Sequence, residues 1–273
     1  MNDILSHINN INTLCSPETF AILSAILGLI FGSFFNVCIF RFISKESIVY
    51  PPSHCTVCGH TLNALDLIPV LSWLFLRGRC RYCHSPISAQ YVIVELLTAL
   101  IFFLTALSFG FSTTAAVYLV FSSLFIVASG IDSRIFILPD AFTLGTALPA
   151  FLAAVFLLDM PWKMSLAGGL AASGVFLTVQ LLFSRIRGME GLGWGDIKLM
   201  LPLGFLCGLP LIPMATLLSG MLALLAFPII HATKGGNLRT MRIPFGPFLC
   251  AGAWLTWLYG KPLMQMWLTF LGI

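Results

Sequence analysis

Two aspartates stand at the ends of long apolar runs, in a chain that otherwise carries little charge. Asp132 closes the apolar run 114–131, and Asp196 opens the run 197–209 behind glycines at 191, 193 and 195. Two carboxylates held close together cannot both ionise easily, so one keeps a proton while the other activates water. The low dielectric near lipid strengthens this coupling. Asp132 and Asp196 are therefore candidates for the hydrolysis of a peptide bond.

Helix capping is the alternative explanation for each aspartate. Asp196 directly precedes an apolar run and would be a favourable N-cap residue. Asp132 fits capping less well, because it follows its run and the C-terminal end of a helix disfavours an anion. An acid in that position within a membrane protein points to function.

Gly193, Gly195 and Lys198 surround Asp196 and could support it. A glycine backbone lets an extended substrate strand approach closely. Lys198 either assists one of the acids or binds substrate, or it is an interfacial lysine that extends towards water. The sequence leaves these roles of Lys198 open.

Four of the eight cysteines form two C-x-x-C pairs, Cys55 with Cys58 and Cys80 with Cys83, which enclose 21 residues. This spacing is close to that of a structural zinc site, in which four thiolates complete a tetrahedral shell. The alternatives are two disulfides, which a reducing cytoplasm disfavours, or four unrelated thiols, which the repeated pair disfavours. We expect zinc with a structural role. The nearby histidines, at 54, 60 and 84, are then surface residues.

The composition indicates a membrane protein. Hydrophobic residues make up 59% of the 273 residues, charged residues make up 9%, and the mean hydropathy is +0.99. Soluble domains carry about a quarter charged residues, so a helical integral membrane protein is expected. The net charge of +4 is not gathered into a basic tract, which argues against nucleic-acid binding.

The apolar runs predict an all-α polytopic membrane protein with about eight transmembrane helices. A bilayer core takes about 20 apolar residues of helix. The first run is too long for a cleavable signal and no Lys or Arg precedes it. The chain divides into the N-terminus with the first helix (1–42), the cytoplasmic cysteine segment between helices 1 and 2 (43–89) and a seven-helix membrane core (90–273). The expected spans are 20–42, 91–109, 114–131, 139–158, 164–183, 197–209, 213–231 and 245–259.

The cations predict the topology, because cytoplasmic loops retain Lys and Arg. With the cysteine segment in the cytoplasm, twelve of the 14 cations lie on that side, and only Lys163 and Lys261 lie opposite. Both termini are then outside. Asp132, Asp140 and Asp196 all fall near the cytoplasmic face, so the two candidate acids have the same depth.

Seven short motifs are distributed along nearly the whole chain. They are Gly32-Ser-Phe-Phe-Asn-Val37 with Arg41, Leu-Ile-Pro-Val-Leu-Ser-Trp at 67–73, Arg77-Gly-Arg-Cys80, Tyr91-x3-Glu95, Leu138-Pro139-Asp140 after Asp132, Gly193-Trp-Gly195-Asp196-x-Lys198 and Pro244-Phe-Gly-Pro247. Together they resemble the bacterial type IV prepilin peptidases, which are bifunctional enzymes of type IV pilus and type II secretion systems. The G-x-G-D element around Asp196 is shared with presenilin-like proteases.

This resemblance implies a reaction and its residues. Asp132 and Asp196 would be the catalytic aspartates, which cleave a short basic leader after a glycine, on the cytoplasmic side of the bacterial inner membrane. The substrates would be prepilins or the pseudopilins of type II secretion. The new N-terminal residue, usually phenylalanine, would then be N-methylated with S-adenosylmethionine, a step that the resemblance associates with Gly78 and Arg79. Met189 and Leu192 depart from the family pattern but leave both acids intact.

Three other functions fit the sequence less well. A proton-coupled transporter also uses intramembrane acids as a relay, but its inverted repeats and midplane sites have no counterpart in the pattern. A serine hydrolase needs a base for Ser133, and His231 is the only histidine outside the N-terminus and the cysteine segment. A non-catalytic scaffold with a zinc module would require neither acid.

Overall fold

The computed structural model describes residues 16–188, 191–234 and 243–270. Within these ranges the regular structure is helical, apart from two isolated β-bridges, His54 with Thr61 and Arg79 with Pro86. The predicted all-α class is confirmed. The first 15 residues of the predicted N-terminal segment lie outside the described ranges.

Eight α-helices account for most of the described chain. Five of them are long and apolar enough to cross a membrane, namely α1, α3, α4, α6 and α7 as defined below. A 3-10 turn at Ala64–Leu67 precedes α2. The helices are α1 (Pro17–Ser44), α2 (Leu71–Phe75), α3 (Gln90–Phe109), α4 (Thr113–Ile135), α5 (Leu144–Phe156), α6 (Trp162–Arg187), α7 (Trp194–Lys234) and α8 (Gly246–Phe270). The chain is a multi-pass membrane protein.

The structure does not confirm the count of eight spans. The fourth predicted span, 139–158, contains only the 13-residue helix α5, because residues 140–143 form turns. The sixth and seventh predicted spans both lie in α7, which consists of two helical stretches that meet at a kink. At Gly208, with φ 70° and ψ 165°, the backbone leaves the helical conformation, close to the predicted gap between these two spans. Glycine adopts this backbone conformation without steric cost.

The chain forms two compact units, Met1–Ile131 and Asp132–Ile273, and the boundary falls inside α4. In the first unit α1 packs closely against α3. A Cβ atom on Gly32 would lie 2.7 Å from the Cα of Glu95, so the small residue permits the contact. The buried Asn36 amide donates to the carbonyl oxygen of Tyr91 at 3.0 Å. The division predicted at residues 42 and 89 remains a prediction.

In the second unit α7 packs against α5, α6 and α8. Helices α6 and α7 meet at glycines, because a Cβ atom on Gly204 would lie 2.5 Å from the carbonyl oxygen of Gly168. The Ser165 hydroxyl of α6 donates to the carbonyl oxygen of Phe205 in α7 at 2.9 Å. Close glycine contacts and interhelical hydrogen bonds stabilise helix pairs in lipid, where burial of apolar surface drives little association.

Candidate active site

Asp132 and Asp196 lie together in the second unit. Asp132 is in the last turn of α4 and Asp196 is in the first turn of α7. Their residues are 5% and 9% exposed, respectively, and Asp132 contributes to the electrostatic environment of Asp196. The two carboxyl groups are thus near enough to interact electrostatically.

Backbone groups hold both aspartates in place. The N–H group of Gly246, at the start of α8, donates to Oδ2 of Asp132 at 3.1 Å. A helix N-terminus stabilises a carboxylate in this position. The N–H group of Asp196 donates to the carbonyl oxygen of Gly193 at 3.1 Å. Glycine permits both close contacts, since a Cβ atom on Gly246 or Gly193 would lie 2.8 or 3.0 Å from the neighbouring carboxylate oxygen.

Leu138 connects the three segments that form the site. It follows α4 and is 7% exposed. A Cβ atom on Gly195 would lie 2.8 Å from Leu138, and one on Gly246 would lie 3.1 Å from it. Leu138 therefore packs against the backbone of both α7 and α8, and it fixes the distance between the segments that carry Asp132 and Asp196.

Lys198 and Asp140 form an ion pair near the site. The Lys198 Nζ atom lies 2.7 Å from Oδ1 of Asp140, and these side chains are 35% and 65% exposed. The pair joins the turn after α4 to the first turns of α7. The structure shows Lys198 in contact with Asp140. Its suggested roles towards the catalytic acids and the substrate remain predictions. Such an exposed pair contributes little to stability, so its main effect is on local geometry.

Gln180 holds the glycine loop that leads into α7. Its side chain lies in α6 and the residue is 2% exposed. Its Oε1 atom accepts hydrogen bonds from the N–H groups of Gly191 at 3.2 Å and Leu192 at 2.7 Å. Nearby, the Ser173 hydroxyl of α6 donates to the carbonyl oxygen of Ile197 at 3.0 Å. Helix α6 thus positions the chain on both sides of Asp196.

The four paired cysteines meet in the first unit. The Sγ atoms of Cys55, Cys58, Cys80 and Cys83 all lie within 4.8 Å of one another, and Cys55 lies 3.8 Å from Cys83. Four sulfurs around zinc at about 2.3 Å are separated by about 3.8 Å, so the cluster has the size of a tetrahedral metal site. All four cysteines are free thiols. The cluster could bind a metal ion, and the disulfide alternative is not what the structure shows.

Two equivalent turns build the cluster. The N–H groups of Cys55 and Cys80 donate to the carbonyl oxygens five residues later, those of His60 and Ser85. The N–H groups of Cys58 and Val57 lower the pKa of the Cys55 thiol to about 6. The thiolate is the form that binds metal, so this backbone arrangement favours a metal ligand.

Asp66 links the two halves of the cysteine segment. Its Oδ1 atom lies 2.6 Å from Nε of Arg81, and Oδ2 accepts from the Tyr82 hydroxyl at 3.2 Å. Burial raises the pKa of Asp66, but the hydrogen bonds from Arg81, from the N–H group of Asn63 and from Tyr82 outweigh it and leave the pKa below its usual value. The charged form of Asp66 is therefore the form that holds the segment together.

Gly78 and Arg79 occupy the loop before the second cysteine pair. Gly78 has φ +67°, and a Cβ atom there would lie 2.8 Å from the indole ring of Trp73. Its N–H group donates to the carbonyl oxygen of Trp73 at 2.8 Å, and its own carbonyl oxygen accepts from Ile87 at 2.7 Å. Arg79 is exposed. Gly78 therefore shapes the loop, since both of its backbone polar groups are already bonded within the protein.

The chain matches two protein-family models and, over most of its length, a relative of described activity. Residues 26–109 match the bacterial peptidase A24 N-terminal domain, and residues 119–228 match the type IV leader peptidase family. A prepilin leader peptidase/N-methyltransferase of Xanthomonas campestris pv. campestris is 35% identical, over 90% of this chain and 94% of the relative. The chain belongs to the type IV leader peptidase family.

Other relatives in this leader peptidase family show the same extent of similarity. Those from Dichelobacter nodosus and Pseudomonas putida, also described as prepilin leader peptidase/N-methyltransferase, are 33% and 31% identical. They cover 88% and 94% of this chain and 92% and 96% of their own lengths. No solved structure matches the chain. The resemblance inferred from the motifs is confirmed.

Sequence reasoning missed two polar side chains that position the leader peptidase site, those of Gln180 and Ser173. Gln180 lies within the predicted fifth span, and an uncharged polar residue in such a span is a weaker sign of function than an acid. A polar amide in the apolar part of a membrane helix needs a partner, and this was the signal available in the sequence. The identity of the partner, the loop after α6, required the structure.

Proposed function

We propose that this chain is a membrane aspartic endopeptidase that removes the leader from prepilins or pseudopilins and then N-methylates the new N-terminus. The observation that carries the proposal is the meeting of two buried acids, Asp132 and Asp196, at the ends of apolar helices. Family membership and the described activity of the relatives, prepilin leader peptidase/N-methyltransferase, support the same activity. A transporter relay would place its acids near the middle of the spans, whereas these acids lie in terminal turns.

In the proposed mechanism the aspartates share one proton. One carboxylate removes a proton from water as the water oxygen bonds to the peptide carbonyl carbon, and the protonated acid donates to the developing oxyanion. The intermediate then collapses, the C–N bond breaks, and the leaving nitrogen takes up a proton. Gly193 and Gly195 leave backbone accessible to an extended substrate, and the pair of Lys198 with Asp140 holds the adjacent turns.

We assign zinc as the metal of the cysteine cluster, with a structural role. Four thiolates leave no open coordination position for a substrate. The spacing of the sulfur atoms supports this assignment. The metal would join the two turns that flank Gly78 and Arg79.

S-adenosylmethionine, implied by the N-methyltransferase name of the relatives, would supply the methyl group. Gly78 acts on this reaction by shaping the loop against Trp73, because a side chain at residue 78 would collide with the indole. Arg79 is exposed and is available to contact an acidic group of a ligand.

The proposed location is the bacterial inner membrane, with the aspartates facing the cytoplasm. The bias of Lys and Arg towards the side of the cysteine segment supports this orientation. The same side would receive the leader of a precursor whose remaining part is anchored in lipid.

Co-expression with one candidate prepilin tests the whole proposal. We expect mass spectrometry to show the precursor without its leader and heavier than the cleaved chain alone by one CH2 unit, because a methyl group replaces a hydrogen on the N-terminal nitrogen. The Asp196→Asn variant, produced at the same membrane level, should leave the precursor intact. An unprocessed prepilin with the unchanged protein, or a processed one with the variant, would contradict the proposal.

A further inference from the structure

Helix α2 exposes a face of large apolar side chains. Leu71, Leu74 and Phe75 are 51%, 55% and 83% exposed, and their spacing places them on one side of the helix. The opposite side is partly covered, since Trp73 packs against Gly78. Contiguous apolar surface of this kind marks a site of contact with a membrane or another molecule.

A hydrogen bond fixes the depth of α2 relative to the membrane helices. The N–H group of Val70, directly before α2, donates to Oε2 of Glu95 at 2.7 Å. Glu95 is 6% exposed and lies in α3, which begins at Gln90. The 20 residues of α3 measure about 30 Å, just enough to cross a hydrocarbon core of about 30 Å. Glu95 therefore lies about 7 Å from the N-terminal end of α3, and the length of α3 only just matches the thickness of the hydrocarbon core.

Helix α1 gives an independent measure of this depth. Gly32 of α1 contacts the backbone of Glu95, since a Cβ atom on Gly32 would lie 2.7 Å from the Glu95 Cα. From Gly32, α1 continues to Ser44, which is about 18 Å further along its axis. Val70 and the start of α2, which are bonded to Glu95, thus lie near the level of Gly32 and not near the Ser44 end of α1.

We propose that α2 lies in the interfacial layer of the leaflet at the Ser44 end of α1, with lipid as its partner. Leu71, Leu74 and Phe75 contact acyl chains, and the exposed Arg77 and Arg79 that follow α2 lie at the level of the headgroup phosphates. This combination of an apolar face and adjacent cations is typical of segments that lie in the membrane surface. The proposal concerns membrane contact and does not depend on the peptidase activity.

The depth of α2 can be measured with a fluorescent noncanonical amino acid at Phe75. The full-length protein is reconstituted in lipid whose acyl chains carry bromine near the headgroup. The same probe at Val57 is the control, because Val57 is 71% exposed and belongs to the same cysteine segment. We expect the probe at Phe75 to be quenched several-fold more than the probe at Val57. Equal quenching at both positions would overturn the proposal, and so would a probe at Phe75 shielded from both brominated lipid and aqueous iodide, which would indicate a protein partner.

Variants of Glu95 test the anchor itself. Glu95→Leu removes the acceptor of the Val70 hydrogen bond, whereas Glu95→Gln retains a carbonyl oxygen at the same reach. We expect lipid quenching at Phe75 to fall in the Leu variant and to remain in the Gln variant. Metal content shows whether the cysteine segment has kept its fold in each protein. Full quenching in a folded Leu variant would contradict the role of Glu95 in setting the depth.

Discussion

The cysteine cluster and the aspartate pair differ in how the chain assembles them. Each half of the cluster is a short local segment, and its backbone hydrogen bonds join residues no more than nine positions apart. The aspartates come from two helices, and their closest supports come from a third and a fourth: Gly246 of α8 donates to Asp132, and Gln180 of α6 holds the loop before Asp196. One site depends on local backbone geometry and the other on helix packing.

Because of this difference, the two sites should respond differently to substitutions. A local turn tolerates changes elsewhere in the protein, because its own backbone hydrogen bonds determine its shape. A site built from packed helices needs its distant contacts, because a displacement of about 1 Å at reacting groups can lower a rate about 100-fold. Substitutions can therefore test whether the two sites are as independent as their construction indicates.

The largest effect is expected for Asp132→Asn or Asp196→Asn. Either change removes one carboxyl group of the proton-sharing pair. Leader cleavage should therefore fall by a factor of about 1000 or more, because general acid–base catalysis and the negative charge of the carboxylate are both lost. Cleavage is measured on a co-expressed prepilin. The metal content of the purified protein should be unchanged, and a parallel loss of metal would show that the two sites are not separate.

The next effect is on the metal. Cys55→Ser or Cys80→Ser should remove most of the bound zinc, because three remaining thiolates do not complete the tetrahedral shell. Cys38→Ser is the control, since Cys38 lies in α1 and is not part of the cluster. Methylation should decrease more than cleavage. Metal analysis that finds equal zinc in the Cys55 and Cys38 variants would refute the zinc assignment.

Gly78→Ala should reduce methylation while leaving cleavage nearly unchanged. Positive φ destabilises alanine by about 1–2 kcal/mol, and the alanine Cβ atom would also collide with the Trp73 ring. Gly59→Ala is the matched control, because Gly59 has φ +71° but no atom within 4 Å of its Cβ position. The mass of the mature N-terminus reports methylation. An equal loss in both variants would show that backbone strain alone is responsible.

Gln180→Leu should lower kcat for cleavage about 10- to 100-fold with little change in KM. Two N–H groups of the glycine loop lose their acceptor, and each unsatisfied buried group costs about 1–3 kcal/mol. Gln180→Glu keeps an acceptor oxygen and should restore most of the rate. This role rests on the proposed function; a slow Leu variant that the Glu variant fails to restore would indicate a packing defect instead.

The smallest effect is expected for the ion pair of Lys198 and Asp140. Lys198→Met or Asp140→Asn should change the free energy of unfolding by less than about 1 kcal/mol, because both side chains are partly exposed. The cleavage rate should fall only a few-fold, and the double variant should be no slower than either single one. Additive losses would mean that the two side chains act separately on the substrate.

Sequence alone predicted the cysteine cluster well, because its ligands are neighbours and their spacing repeats. The distribution of cations along the chain also predicted that Asp132 and Asp196 lie at one depth in the membrane, and this depth remains a prediction. Sequence alone could not predict the support from Gln180 or the contact of Leu138 with Gly195 and Gly246, because these depend on which helices pack together. The span count was not confirmed because the fourth predicted span contains only the 13-residue helix α5, whereas the predicted gap between the sixth and seventh spans coincides with the kink at Gly208 of α7.

The two turns of the cysteine cluster are copies of one structure. Every partner in the second turn is shifted by 25 residues from the first, as the bridges His54 with Thr61 and Arg79 with Pro86 show. The residue after each pair has positive φ, and it is Gly59 in one copy but His84 in the other. A metal held between them would thus join two halves related by internal pseudo-symmetry, which is visible in the backbone although few side chains other than the cysteines are shared.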